Sequence, residues 1–205
     1  MEGKGGYLVP AGGCRTEETI RRSRFITTLE RAETADDARA FVDRMRLEFA
    51  DATHNCWAFV AGPPGSTTHI GSSDDGEPSG TAGRPILQVL LHGDVGEVAA
   101  VVTRYYGGTK LGTGGLARAY SSGVKLALES MGTEVKVLRV PVEIEFGYSE
   151  VDALHRLAVE YGVLVGDESY TDRVLCRCAV PQERLSDFES AFADLTRGTG
   201  RINRL

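Results

Sequence analysis

Arg104-Tyr105-Tyr106-Gly107-Gly108-Thr109-Lys110-Leu111-Gly112-Thr113-Gly114-Gly115-Leu116-Ala117-Arg118-Ala119-Tyr120 sits inside a stretch, Val98 to Leu128, that contains no Asp or Glu. Upstream of it, Ala99 to Thr103 is a short Val-rich apolar run and reads as a buried strand. Downstream, Leu116, Tyr120, Val124, Ala127, Leu128 and Met131 recur at helical spacing. Arg118, Ser122, Lys125 and Glu129 fall on the opposite face. The segment is therefore strand, glycine loop, helix, and its charges are all positive. Free amides at a helix start carry the positive end of its dipole, and glycines let a loop form a concavity of N–H groups. Such a junction suits an anion or a phosphate. The same glycines also suit a tight turn that only packs helix against sheet.

Two sharper phosphate motifs fit less well. A P-loop needs G-x-x-x-x-G-K-[ST], whereas here Lys110 precedes Gly112 and is followed by Leu111. Gly112 to Ala117 does match G-x-G-x-x-A, with Glu134 further on, but the dinucleotide fingerprint opens directly after its strand. In this chain the apolar run ends at Tyr106, and no further βαβ units follow.

The 205 residues allow one large domain or two small ones, with 41% hydrophobic residues for ordinary cores. The net charge of −6 means that any nucleic-acid role rests on a local patch. Four cysteines, Cys14, Cys56, Cys176 and Cys178, show neither C-x-x-C nor zinc spacing and read as reduced thiols. The first residues lack the apolar core of a signal peptide, and no apolar run is long enough to span a bilayer. A soluble, cytoplasmic protein without a membrane partner is expected.

Along the chain, Thr16 to Leu29 reads as a strand pair or one long bent strand, interrupted by Arg21, Arg22 and Arg24, whose charges Glu17, Glu18 and Glu30 largely offset. Thr34 is placed to cap a helix over about 35–50 with Asp36 and Asp37 in its first turn. His54 to Ala61 reads as a buried strand on which His54 and Cys56 share a face. Wall or core roles suit that pair better than a nucleophile–base pair, since no third orienting group is evident. Residues 62–73 read as a loop. Asp74, Asp75 and Glu77 form an acidic cluster that offers oxygen ligands for Mg²⁺ or simply decorates a solvated loop. Ser79 and Thr81 are candidate caps for a helix over about 81–91 that Gly93 ends.

After Met131-Gly132 the pattern changes. Val135 to Phe146 alternates like one half-buried strand, Ser149 is placed to cap a helix, and two strands flank a turn near Thr171-Asp172. A last helix carries Leu185, Phe188, Phe192 and Leu195, and Arg201 to Leu205 suits a final strand. The order βαββαβ is the split, ferredoxin-like pattern. A boundary near Gly132 gives domains 1–132 and 133–205 in an α+β chain. Neither half is basic, with 14 basic and 16 acidic residues in the first and 9 and 13 in the second.

The strings Asp74 to Pro85 and Val102 to Leu116 together resemble the YigZ/IMPACT family, and the resemblance runs from about Cys14 to Met131. It implies a first domain like certain ribosomal proteins and domain IV of elongation factor G, and a ferredoxin-like second domain. It also implies the bacterial two-domain form, without the additional N-terminal domain of eukaryotic members. Translation-associated regulation and contact with RNA or the ribosome follow as expectations, with no cofactor and no catalytic residue to carry over. On this reading the anion or nucleic-acid site comprises Arg84, Arg104, Tyr105, Tyr106, Gly107, Gly108, Thr109, Lys110, Gly112, Gly114, Gly115 and Arg118. Arg104, Lys110 and Arg118 are expected on phosphates, and Tyr105 or Tyr106 on an unpaired base. Two other readings compete: an enzyme acting on a small phosphorylated ligand with Mg²⁺ at Asp74, Asp75 and Glu77, and a protein-binding regulator.

Overall fold

The structure is a computed structural model that describes residues 5–205. The chain divides into two units, Tyr7–Lys136 and Val137–Leu205, the latter with Gly5 and Gly6. The division falls beyond Gly132, the boundary suggested by the sequence.

The first unit runs β1 (Gly6–Pro10), β2 (Cys14–Ile20), β3 (Ser23–Arg31), α1 (Ala35–Glu48), β4 (His54–Val60), β5 (Ile70–Ser73), α2 (Gly83–His92), β6 (Val98–Tyr105), α3 (Thr113–Ser130) and β7 (Thr133–Val137). Its main sheet has the order β2-β3-β6-β4-β5, with β6 at the centre and antiparallel to both neighbours. Because β6 is covered on both faces, it reads as an unbroken apolar run rather than an alternating one. Val98, Ala100 and Val102 pack with Ile86, Leu90, Leu116 and Val124 of α2 and α3. Ala99 and Val101 pack with Phe41, Val42 and Met45 of α1 on the other face. β1 and β7 form a separate two-stranded ribbon.

The segment Thr16 to Leu29 is a hairpin. Ile20 pairs with Ser23, and the turn residues Arg21 and Arg22 both take positive φ, +47° and +69°. That is the mirror-image turn that matches strand twist, here without its usual Asn or Gly. Thr34 caps α1 as expected, and Asp37 completes a capping box. The glycine- and proline-rich stretch hides β5, which sequence composition did not reveal. Gly71 is needed there because a Cβ would come within 2.5 Å of the Phe59 ring, which stacks on Trp57.

In the second unit β8 (Arg139–Phe146), α4 (Val151–Tyr161), β9 (Leu164–Tyr170), β10 (Val174–Pro181), α5 (Leu185–Leu195) and β11 (Arg201–Arg204) follow the expected order. The sheet order is β11-β8-β10-β9, antiparallel throughout. Val142, Ile144 and Phe146 alternate onto Leu154, Phe188 and Phe192. The single strand expected over Val135–Phe146 is two strands, β7 and β8. Ser149 does not cap α4; it bonds Glu150 inside a 3₁₀ turn over Tyr148–Glu150.

Candidate functional site

The last inward residue of β6 is Arg104, which is 4% exposed. Its Nη1 donates to Glu77 Oε1 at 2.5 Å and its Nη2 to Ser23 Oγ at 3.2 Å. The guanidinium lies over the rings of Phe25 and Tyr106, 5.4 Å from each centroid. Tyr120, fully buried on α3, donates its hydroxyl to the same Glu77 oxygen at 2.8 Å. Burial, with Cys56 and Glu77 beside it, pushes this phenol far up, so it stays a donor. The acidic loop and the basic loop therefore meet in a buried ion pair. Arg104 is thus held by a carboxylate and flanked by two rings, and its Nε–H has no hydrogen-bond partner among the described residues.

The other two acids are also engaged. Asp74 Oδ1 accepts from the amides of Ala82 and Gly83 at 2.9 and 2.8 Å, and Oδ2 accepts from Gly80 at 2.7 Å. It thus satisfies the start of α2, whose N-cap residue Ala82 has no side-chain bond of its own; neither Ser79 nor Thr81 does so. Asp75 Oδ2 accepts from the Asn55 amide at 2.7 Å, and Oδ1 accepts from Arg46 at 3.2 Å. The three carboxylates serve three different partners, and among the described residues no group of three His, Cys, Asp or Glu is placed to hold a metal ion. His54 and Cys56 point to this same loop but not to each other. His54 Nδ1 bonds the Asp75 carbonyl at 2.8 Å, and the Cys56 thiol donates to the Asp74 carbonyl at 2.9 Å. Burial pushes that thiol up to about 12, so Cys56 is a packing residue.

Gly107 packs so closely on the β2–β3 turn that a Cβ would fall 1.9 Å from the Arg22 carbonyl oxygen. Positive φ is required at Gly108 and Gly112, +80° and +73°, but not at Gly114 or Gly115, which belong to the first turn of α3. α3 has no side-chain cap and no acid in its first turn, so its leading amides are left without a partner in the helix. Lys110 and Arg118 are exposed, and so are Arg21 and Arg22 of the turn that Gly107 touches. None of these four cations has an ion-pair partner among the described residues. Tyr106 is 46% exposed, whereas the Tyr105 hydroxyl donates to Asp51 at 2.8 Å and its ring carries Arg24. Thr109 is exposed on the loop; Arg84 is exposed on α2 and does not line the pocket described next.

A pocket of about 490 Å³ opens at this junction. Its polar wall is His54, Glu77, Arg104 and Lys110, and Gly112 and Thr113 bring the start of α3 to it. Pro78, Leu111 and Leu116 form the apolar side. Sequence reasoning left His54 as a wall or core residue and assigned Tyr120 to packing alone. Their partners lie on other elements, and no local spacing announces them.

These features define an α+β protein of two units, the first closing a glycine loop over a buried Arg–Glu pair. Residues 21–128 match the Impact N-terminal domain, and residues 144–199 match a domain of unknown function (DUF1949). The chain belongs to the IMPACT family. It is 40% identical over 192 residues to an IMPACT family member of Haemophilus influenzae, covering 94% of this chain and 93% of that one. It is also 40% identical over 193 residues to IMPACT family member YigZ of Escherichia coli, covering 94% and 95%. A solved structure described only as that of a hypothetical protein matches with a TM-score of 0.74 and 39% identity, over 98% of this chain and 97% of that chain.

Proposed function

We propose that the chain is a translation-associated regulatory protein that binds RNA, free or in the ribosome, on the basic edge of its first unit. The observation that carries this reading is the contact of the β2–β3 turn with Gly107, which brings the unpaired Arg21 and Arg22 beside the loop of Lys110. Arg21, Arg22, Lys110 and Arg118 are exposed and have no ion-pair partner among the described residues, and Tyr106, half-exposed on the same loop as Lys110, suits stacking on an unpaired base. The order β11-β8-β10-β9 supports a ferredoxin-like second unit, beside a first unit like domain IV of elongation factor G. A cytoplasmic location fits four cysteines that are all free thiols, and no helix among the described residues is long and apolar enough to cross a membrane.

Four cations on a single strand give a salt slope of roughly −2.8, or about a 50-fold loss of affinity between about 50 and 200 mM salt. Lys110→Ala removes about 0.7 from that slope and weakens every RNA sequence alike, since a point charge on phosphate reads no base. A folded Lys110→Ala protein with the parent's slope and affinity rejects this reading, and a protein-binding regulator takes its place.

A further inference from the structure

The pocket beside the basic edge sets a Glu77 carboxylate oxygen opposite the His54 ring, 4.0 Å apart. Glu77 Oε1 is taken by Arg104 and Tyr120, and Oε2 has no hydrogen-bond partner among the described residues, although the side chain is only 3% exposed. His54 Nε2 lies 4.0 Å from Oε2, too far for a hydrogen bond. The His54 Nδ1 atom lies 2.8 Å from the Asp75 carbonyl, which only accepts, so Nδ1 carries a proton, and in the tautomer with no second proton a lone pair on Nε2 faces the pocket. Both atoms border the open pocket, where a ligand's hydroxyls can take the place of water as donors to them. One hydroxyl has one proton to give, whereas a cis-diol offers two side by side. Elsewhere in the pocket stands the opposite chemistry, the uncapped start of the long helix α3 together with Lys110. Amides there attract phosphate. Leu111, Leu116 and Pro78 provide an apolar wall for a sugar or base, and about 490 Å³ is a normal size for a small-ligand site.

We propose that this pocket seats a ribonucleotide, its cis-diol donating to Glu77 Oε2 and His54 Nε2 and its phosphate resting on the N-terminus of α3 beside Lys110. The inference deepens the RNA reading above: the nucleotide is the 3′-terminal residue of a strand whose backbone follows the basic edge. A free mononucleotide has the same chemistry. The pocket then distinguishes ribose from deoxyribose, which phosphate contacts alone do not do.

The test is a titration of the full chain with three labelled single-stranded RNAs that differ only in the last residue: a free 2′,3′-diol, a 2′-deoxy sugar, or a 3′-phosphate. Adenosine monophosphate and its 2′-deoxy form serve as free-nucleotide probes. The diol end is expected to bind roughly tenfold more tightly than the other two ends, because each of these removes or blocks one of the two donors. His54→Ala should abolish that preference. In the unmutated protein, the His54 ring ¹⁵N resonances should shift with the diol-bearing ligand and not with the deoxy one. If only adenosine monophosphate is preferred over its deoxy form, the pocket stands and its ligand is a free nucleotide. If the three RNAs bind alike with a steep salt slope and the two mononucleotides are not distinguished, the pocket proposal falls and the basic edge survives. If no RNA binds, the basic-edge reading falls, and the mononucleotide pair alone decides the pocket.

Discussion

Glu77 has two partners of unequal weight on one oxygen, and their separation gives a test of what holds the junction closed. Replacing Glu77 by Gln leaves the Arg104 charge buried without a counter-charge, at a cost of about 3–5 kcal/mol. Tyr120→Phe removes one donor while the ion pair persists, and should cost about 1 kcal/mol. Urea denaturation of both variants checks this; equal small losses would mean that the pair does not organise the site. Asp74 gives a pH test. Burial alone raises its pKa, but the amides of Gly80, Ala82 and Gly83 outweigh that and hold it below the ordinary carboxylate range. A folded value below the unfolded one means that the contribution is present above about pH 4 and is lost as pH falls through the folded value. Asp74→Ala should therefore cost about 1–2 kcal/mol at neutral pH, as lost caps do, with the gap to the parent narrowing in strong acid. A gap of unchanged size there would show that Asp74 acts through packing instead. The sequence displayed an acidic loop and a basic loop but not their mutual neutralisation. Glu77 and Arg104 lie on different elements, and only the fold brings their side chains together.

At the scale of elements, what was legible followed from patterning, and what was not depended on close backbone approach. The continuous run of β6, the helical period of α3 and the capping box of α1 can each be read locally, because each is a local constraint. β1 and β5 carry no such signal; β5 exists because β4 offers an edge and Gly71 clears space beneath Phe59. The glycine loop shows the same division. Its five glycines look equivalent in the sequence, yet Gly107 meets the Arg22 backbone, Gly108 and Gly112 take positive φ, and Gly114 faces open space with ordinary helical φ. Gly107→Ala should destabilise the protein by about 3 kcal/mol or more, since backbone must move, and should detach the arginine turn from the loop. Gly114→Ala should be neutral or stabilising by up to about 1 kcal/mol, because alanine favours the helix and loses less backbone entropy. Thermal melts of the two variants decide this; equal losses would mean that the loop needs both glycines for conformation rather than one for contact.

For the whole chain, where the first unit ends has an energetic consequence that composition did not reveal. Glu97 is 3% exposed and takes positive φ, so its carboxylate must be satisfied inside the fold. Oε1 accepts from the Tyr7 hydroxyl at 2.6 Å and from Lys136 Nζ at 2.5 Å, and Oε2 accepts from Arg31 at 3.2 Å. Burial raises its pKa, but Lys136, Tyr7 and Arg31 together hold it below the usual range. A fragment cut after Gly132 loses Lys136 and also β7, the strand that pairs with β1. A fragment cut after Val137 keeps both. Each should fold, since the main sheet and its three helices lie wholly within 14–130. The shorter should be less stable by about 2–3 kcal/mol for the lost partner of a buried carboxylate, which for a domain of this size lowers the melting temperature by roughly 5–10 °C. Lys136→Met in the longer fragment should reproduce part of that loss while leaving the ribbon paired. If the two fragments melt together, the unit ends where the sequence change at Gly132 suggested, and the Glu97 cluster adds nothing to its stability.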